Sequence, residues 1–323
     1  MAASPSTSSN ADADMSVVRS GLLLAARSDS LRRRATTGRR TRRIVDRFVA
    51  GENTADAVAA AARLQATGRL ASLDYLSENV ADVARTGSVV AAYLDLLDAL
   101  TRHGPEPAAE VSLKLSALGQ LVDEDVALAN LRRILEVATA SGVDVTVDME
   151  GSATTASTLR MVAEVRRDFP RTGVAVQAAL HRSPTDLDAL GAPGARVRLC
   201  KGAYHEPAAV AFQRRSEIRE AYTRCLDLLF SRGAHPMVAT HDPEMVSSAE
   251  QLAREHGRRP DEWEFQMLMG VRDAEQRRLA GAGFQVRVYV PYGSDWYGYL
   301  MRRLAERPAN ALLILRQIPG RRG

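Results

Sequence analysis

The stretch VDVTVDMEGSATTASTLRMVAEVRRDFPRTGVAVQ, residues 143–177, decides how this sequence folds. A short apolar, β-favouring run from Val143 to Asp148 gives way to a longer helical pattern, and then a second run begins at Val174 and ends at Gln177. Working outward, the same alternation recurs at Leu70 to Asp74, Val111 to Leu115, Val197 to Lys201, Pro236 to His241, Trp263 to Met267 and Val286 to Val290. The starts of these eight runs lie mostly about 23 to 40 residues apart, room for one strand, one helix and two loops. Eight such repeats predict an α/β fold closed into a distorted (β/α)8 barrel of the TIM type. An open doubly wound sheet is the competing arrangement. The G-x-G-x-x-G and G-x-x-x-x-G-K-[ST] signatures that usually accompany it are absent.

Nearly every run ends in a polar or ionisable residue: Asp74, Lys114, Asp148, Gln177, Arg198 with Lys201, His241, Gln266 and Tyr289. In a barrel the C-terminal strand ends share one face, where active sites are built. Any one of these could merely terminate a strand. Gathered around one mouth they would repel and desolvate one another, a cost that function rather than stability explains.

The chain of 323 residues, 46% hydrophobic and 25% charged, is sized for one large catalytic domain and a short appendage. Residues 1–15 read as a disordered tail without the charged-then-apolar order of a secretory signal. Residues 16–67 read as an N-terminal helical arm, with an apolar patch at Leu22 to Leu24 and a helix from Thr54 to Gln65 capped by Asn53 or Thr54. Residues 68–323 form the barrel. No apolar stretch reaches the roughly 20 residues that span a bilayer. Cys200 and Cys225, the only cysteines, lack disulfide or metal spacing, so a reducing cytoplasm is expected. The basic cluster Arg32, Arg33, Arg34, Arg39, Arg40, Arg42 and Arg43 suggests nucleic acid. The net charge of only +4 and the interleaved acids elsewhere favour a solvated helix face and no nucleic-acid partner. His103, His181, His235 and His256 lack ligand spacing, and no metal is expected.

Of 43 basic residues only Lys114 and Lys201 are lysine. A compact ammonium is chemically distinct from a guanidinium fork, so these two positions require lysine itself. After the last run, a helix starting near Ser294 or Asp295 carries Tyr299, Arg302, Arg303 and Glu306, and its paired guanidiniums suit a small carboxylate, with Lys114 adding a point charge across the mouth.

The runs VSLKLSALG, VDMEG, VQAALHRS, RVRLCKGAYHEP, ATHDP, EFQMLMGV and RVYVPYGSDWYGYLMRRLAERPAN resemble, in order, the motif series of the proline dehydrogenase family in its monofunctional bacterial form. The resemblance extends from about Leu70 to Asn310 and implies FAD held non-covalently at the mouth, L-proline as substrate, hydride transfer from its C5 to flavin N5, and a membrane quinone as electron acceptor. It implies that Lys114, Arg302 and Arg303 bind the substrate carboxylate and that Tyr204, Leu268, Tyr289 and Tyr299 wall the ring. Asp148 matches the family's active-site acid, Met149 touches the flavin, and Arg198 lies near N5. By the same resemblance Gln177, Lys201, Gly202, Ala203, Thr240, His241 and Gln266 line the cofactor. The chain departs from the pattern at Ala179, where an aromatic is common, at His205, where Trp is frequent, and at Asp242, where Asn is usual. Substrate breadth, oligomeric state and any peripheral membrane contact stay open. Two other readings compete: a Schiff-base lyase using one of the lysines, and a non-catalytic barrel that binds proline or a protein partner.

Overall fold

The computed structural model describes residues 45–77, 83–103, 109–204 and 206–306. Eight strands, β1 Leu70–Tyr75, β2 Ala109–Leu113, β3 Val145–Val147, β4 Gly173–Gln177, β5 Arg196–Cys200, β6 His235–Ala239, β7 Glu264–Leu268 and β8 Val286–Tyr292, pair in sequence order. All pairings are parallel, and β8 closes on β1 with Ser72 opposite Tyr289 and Asp74 opposite Pro291. This is the closed barrel that the eight runs predict.

The boundaries differ where it matters for chemistry. Lys114, Asp148, Lys201 and His241, read as strand-terminal, stand one or two residues beyond β2, β3, β5 and β6. There ladder pairing has ended and the backbone turns into the βα loops. After β2 the turn is a 3-10 segment, Ser116–Leu118, closed by Gly119 in the left-handed region.

The helices are α1 Thr54–Gln65, α2 Val83–His103, α3 Glu124–Ala140, α4 Ser152–Val165, α5 Ser183–Leu190, α6 Arg215–Ser231, α7 Pro243–Glu255, α8 Asp273–Gly281 and α9 Trp296–Glu306. Asn53 caps α1 as read: its side chain accepts from Asp56 N while the Asp56 carboxylate accepts from the Asn53 backbone, a reciprocal capping box. The small residues Ala57, Ala60 and Ala61 let α1 lie close over β1 and β8. The Arg cluster and the leucine patch of the N-terminal arm lie outside the described residues.

One apolar shell surrounds the barrel. Leu73, Val111, Leu113, Val145, Val147, Val174, Val176, Val197, Leu199, Val238, Phe265, Val286, Val288 and Val290 occupy alternate strand positions and pack with the helices. Each such side chain, fully buried, contributes about 1.5–3 kcal/mol. A second cluster joins Val45, Val49 and Leu76 to Trp296, Tyr297, Tyr299, Leu300 and Met301, seating α9 against the C-terminal end of β1. Among the described residues, no helix is long and apolar enough to cross a membrane.

Candidate active site

With the apolar positions turned outward, many of the inward positions are polar. In β2 and the residue beyond it, Glu110, Ser112 and Lys114 alternate with Val111 and Leu113; in β5, Arg196 and Arg198 alternate with Val197 and Leu199; β7 contributes Glu264 and Gln266, and β8 Arg287 and Tyr289. Hydrogen bonds from β2 to β5, which are not neighbours in the sheet, run through the lumen. A column of ion pairs thus runs along the barrel axis.

Glu110 anchors its lower part. The fully buried carboxylate accepts from Ser72 Oγ at 2.8 Å, Thr146 Oγ1 at 3.1 Å, Arg196 Nη2 at 2.7 Å and Arg198 Nη2 at 2.7 Å. Burial alone would raise its pKa, but Arg287, Arg196 and Arg198 hold it at about 2. Beside it, Arg287 donates to both oxygens of Glu264 at 2.8 to 3.1 Å. Gly173 faces the same lumen: a Cβ there would meet Thr146 Oγ1 at 2.5 Å, so a larger residue would have to displace Thr146, a ligand of Glu110.

Arg198 links this column to the mouth. Its Nε donates to Gln266 Oε1 at 2.5 Å, Nη1 to Ser112 Oγ at 2.7 Å and to Asp148, and Nη2 to Ser72 Oγ at 3.0 Å and to Glu110. A guanidinium has five N–H donors, and all are used. Above them the guanidinium carbon stands 5.4 Å from the Tyr289 ring centroid.

At the mouth, Lys114 Nζ donates to Asp74 Oδ1 at 3.0 Å and Oδ2 at 2.8 Å, and lies 3.5 Å from both Asp148 Oδ2 and Tyr289 Oη. Tyr289 Oη donates to Asp148 Oδ2 at 2.7 Å, and Ser112 Oγ to Asp148 Oδ1 at 3.0 Å. The two carboxyls are driven apart. Burial raises Asp74, which has Lys114 as its main counter-charge and Asp148 pushing the same way as burial. Burial would raise Asp148 as well, but Arg198 and Lys114 beside it, with the Tyr289 and Ser112 donors, hold it below the usual carboxylate range. Tyr289 is kept a neutral phenol, raised well above its ordinary value by burial and by the two acids. For Lys114, burial pulls downward, yet Asp74 and Asp148 outweigh it and fix the ammonium. Held between two carboxylates, Lys114 is engaged as the cation of an ion-pair cluster, which does not favour the lyase reading.

Among the described residues, the cations Lys114 and Arg198 are matched by Asp74, Asp148 and Glu110. Asp74 was read only as a strand end and Glu110 not at all. The period-two polar alternation in AEVSLK, residues 109–114, was the signal that both faces of a buried strand were specified differently.

The other expected residues fall around this cluster with varied surroundings. Met149 and Thr240 are buried, Leu268 is half-buried, and Tyr204 is 49% exposed on the β5–α6 loop. Tyr299 is buried in the second apolar cluster. Gln177 Nε2 donates to Glu150 O at 2.9 Å, and its Oε1 accepts from Ala203 N at 3.4 Å. Gly202 has φ +117°, and a Cβ there would meet Ala179 Cβ at 3.2 Å and Gln177 Oε1 at 3.3 Å, so the bare backbone passes tightly along the β4 end. Gln266, expected beside the cofactor's ring, bonds to Arg198 and Glu264 within the column. His241 Nε2 accepts from Leu268 N at 2.9 Å, tying the β6 and β7 ends together. Lys201 Nζ donates to Asp242 Oδ2 at 2.9 Å. Arg302 and Arg303 stand on α9, but their side chains, like His205, lie outside the described residues.

The chain resembles known proteins in sequence and in fold. Residues 57–314 match the model of a family described as proline dehydrogenase. Proline dehydrogenase 1 of Bacillus subtilis strain 168 is 39% identical over 272 residues, 84% of this chain and 89% of that protein. Proline dehydrogenase of Deinococcus radiodurans is 36% identical over 277 residues, again 84% of this chain and 89% of the relative. A crystal structure of proline utilization A from Bdellovibrio bacteriovorus, inactivated by N-propargylglycine, superposes with a TM-score of 0.79 at 20% identity, covering 92% of this chain and 37% of that one, a likeness of fold. With most of the chain matched by the family model and two relatives more than a third identical over nearly their whole length, this chain belongs to the proline dehydrogenase family.

Proposed function

We propose that the chain oxidises L-proline to 1-pyrroline-5-carboxylate with FAD as cofactor and a quinone as the final electron acceptor. Family membership supports proline dehydrogenation, the first step of proline catabolism. The single observation that carries the finer reading is the buried cluster of Lys114, Asp74, Asp148, Tyr289 and Arg198 at the barrel mouth.

The residues present suit FAD. Gly202 and Ala203 offer close backbone and small side chains beside the Gln177 amide, and Lys201, Thr240 and His241 continue the rim with an ammonium, a hydroxyl and an imidazole, donors for a sugar and phosphate chain. In this reading Met149 and Gln266 complete the cofactor's surroundings. When bound, FAD supplies the acceptor for the hydride that leaves C5 of proline.

The chain itself binds and orients. Lys114, kept protonated, takes the substrate carboxylate together with Arg302 and Arg303, and Tyr204, Leu268, Tyr289 and Tyr299 hold the apolar ring. Asp148, kept ionised, fixes Lys114 and Arg198 at once. Arg198, with every N–H committed to protein acceptors, acts on the reaction through its positive charge rather than by donating a new hydrogen bond. Residues 68–323 would carry the catalysis. Residues 16–67 would be an appended arm whose last helix, α1, packs on the barrel wall. Electron delivery to quinone would require a peripheral approach to the membrane.

An anaerobic visible spectrum of the purified chain tests this. Flavin bands that bleach on addition of L-proline are expected. A flavin that stays oxidised would overturn the substrate assignment, and a colourless protein that gains no flavin on incubation with FAD would overturn the cofactor.

A further inference from the structure

Lys201, one of two lysines in the chain, is already occupied by an internal anion. Its Nζ donates to Asp242 Oδ2 at 2.9 Å, and Arg219 Nη2 of α6 approaches the same oxygen at 3.3 Å. The other oxygen, Oδ1, caps α7 by accepting from Glu244 N at 3.1 Å, while the Asp242 backbone N donates to Thr240 Oγ1 at 3.1 Å. Arg219 is further tied to Glu244. The Asp242 carboxylate is mostly covered, whereas the Lys201 side chain stays 41% exposed toward the rim between β5 and β6.

Two consequences follow from this geometry. The pair is rigidly seated, since the carboxylate is held by a backbone N–H, an ammonium and a guanidinium at once. Any anionic group that reaches Lys201 must also approach a carboxylate bonded to the same nitrogen. We propose that Asp242 is a placeholder anion that sets how tightly the chain holds its cofactor, by competing with the cofactor's phosphates for Lys201. The inference rests on the reading above, in which Lys201 faces the anionic part of FAD. Asp242 keeps the ammonium aimed in the absence of ligand and imposes like-charge repulsion in its presence.

Asp242→Asn removes the repulsion. Asparagine has nearly the same shape and caps a helix as well as aspartate does, but with its one amide oxygen accepting from Glu244 N it presents an NH2 to Lys201, so the negative charge and the acceptor for the ammonium are lost together. Relief of repulsion between groups several ångströms apart at a partly solvated rim corresponds to ~10-fold in affinity. The full chain, stripped of flavin, is titrated with FAD and separately with riboflavin, which lacks phosphates, following quenching of flavin fluorescence. The expected result is ~10-fold tighter FAD binding by the variant, a difference that shrinks in high salt, with riboflavin bound equally by both chains. Equal riboflavin binding also certifies that the variant's mouth is intact. If FAD binds the variant no more tightly than the parent chain, the placeholder role is overturned while the cofactor reading stands. If neither chain binds FAD, the cofactor reading fails and takes this inference with it.

Discussion

Replacing Glu110 by glutamine removes one charge from the centre of the barrel while preserving shape. The carboxylate is wholly buried and neutralises Arg196 and Arg198 at 2.7 Å each. Its pKa lies at about 2 in the fold against an ordinary 4.5. A difference of about 2.5 units is worth about 3 kcal/mol of stability at neutral pH. Breaking a buried ion pair by removing one partner, which leaves a guanidinium uncompensated, is independently expected to cost about 3–5 kcal/mol. The sign is that of a depressed acid: the contribution is complete above about pH 4.5 and is lost as pH falls through about 2. Urea unfolding of parent and Glu110→Gln chains, followed by the fluorescence of buried Trp263, should therefore differ by about 3 kcal/mol at pH 7, with the gap narrowing as pH falls from 4.5 toward about 2. A gap below about 1 kcal/mol, or one that does not change with pH, would refute the view that Glu110 is the ionised keystone of the column.

Lys114→Met should destabilise the chain increasingly as pH rises, because Asp74 loses its main counter-charge. Asp74 is already raised above 3.8, so its favourable contribution exists at low pH and fades as pH climbs through the raised value. The double change with Asp74→Asn should recover most of the loss in melting temperature at pH 8, and failure to recover any would break the proposed pairing. Cys200 and Cys225 are each pushed up to about 11 chiefly by burial, so neither should react appreciably with iodoacetamide in the native chain at pH 7.5. Rapid native labelling of Cys200 would contradict the thiol state assigned to it.

Much of the fold was legible because its signal is periodic. Val143 to Asp148 and Val174 to Gln177 repeat a pattern that only a parallel sheet with covering helices accommodates, and Asn53 with Asp56 states the start of α1 in two residues. The gathering of Lys114, Asp148, Arg198 and Tyr289 followed from their place at strand ends. What the sequence could not convey was the partition of charge. That Asp74 is raised and Asp148 lowered depends on how many donors reach each carboxyl across the barrel, from Ser112, Arg198 and Tyr289, and such counts exist only in three dimensions. Nor does the sequence show that the donors of Arg198 are all committed to protein acceptors, or that Tyr204 stands half in solvent on its loop.

The column of matched charges along the axis also bears on how this barrel can change over time. A lumen filled by apolar side chains can drift one substitution at a time, each neighbour tolerating a slightly different volume. Here the loss of Glu110, Glu264 or Arg287 alone strands a partner in a place water does not reach, so variation along the axis has to be concerted, acid and base exchanged together. Heat acts on the same feature in the opposite direction. The cost of keeping ions dehydrated falls as temperature rises while apolar burial levels off, so the axis gains on the surrounding shell in a warm environment.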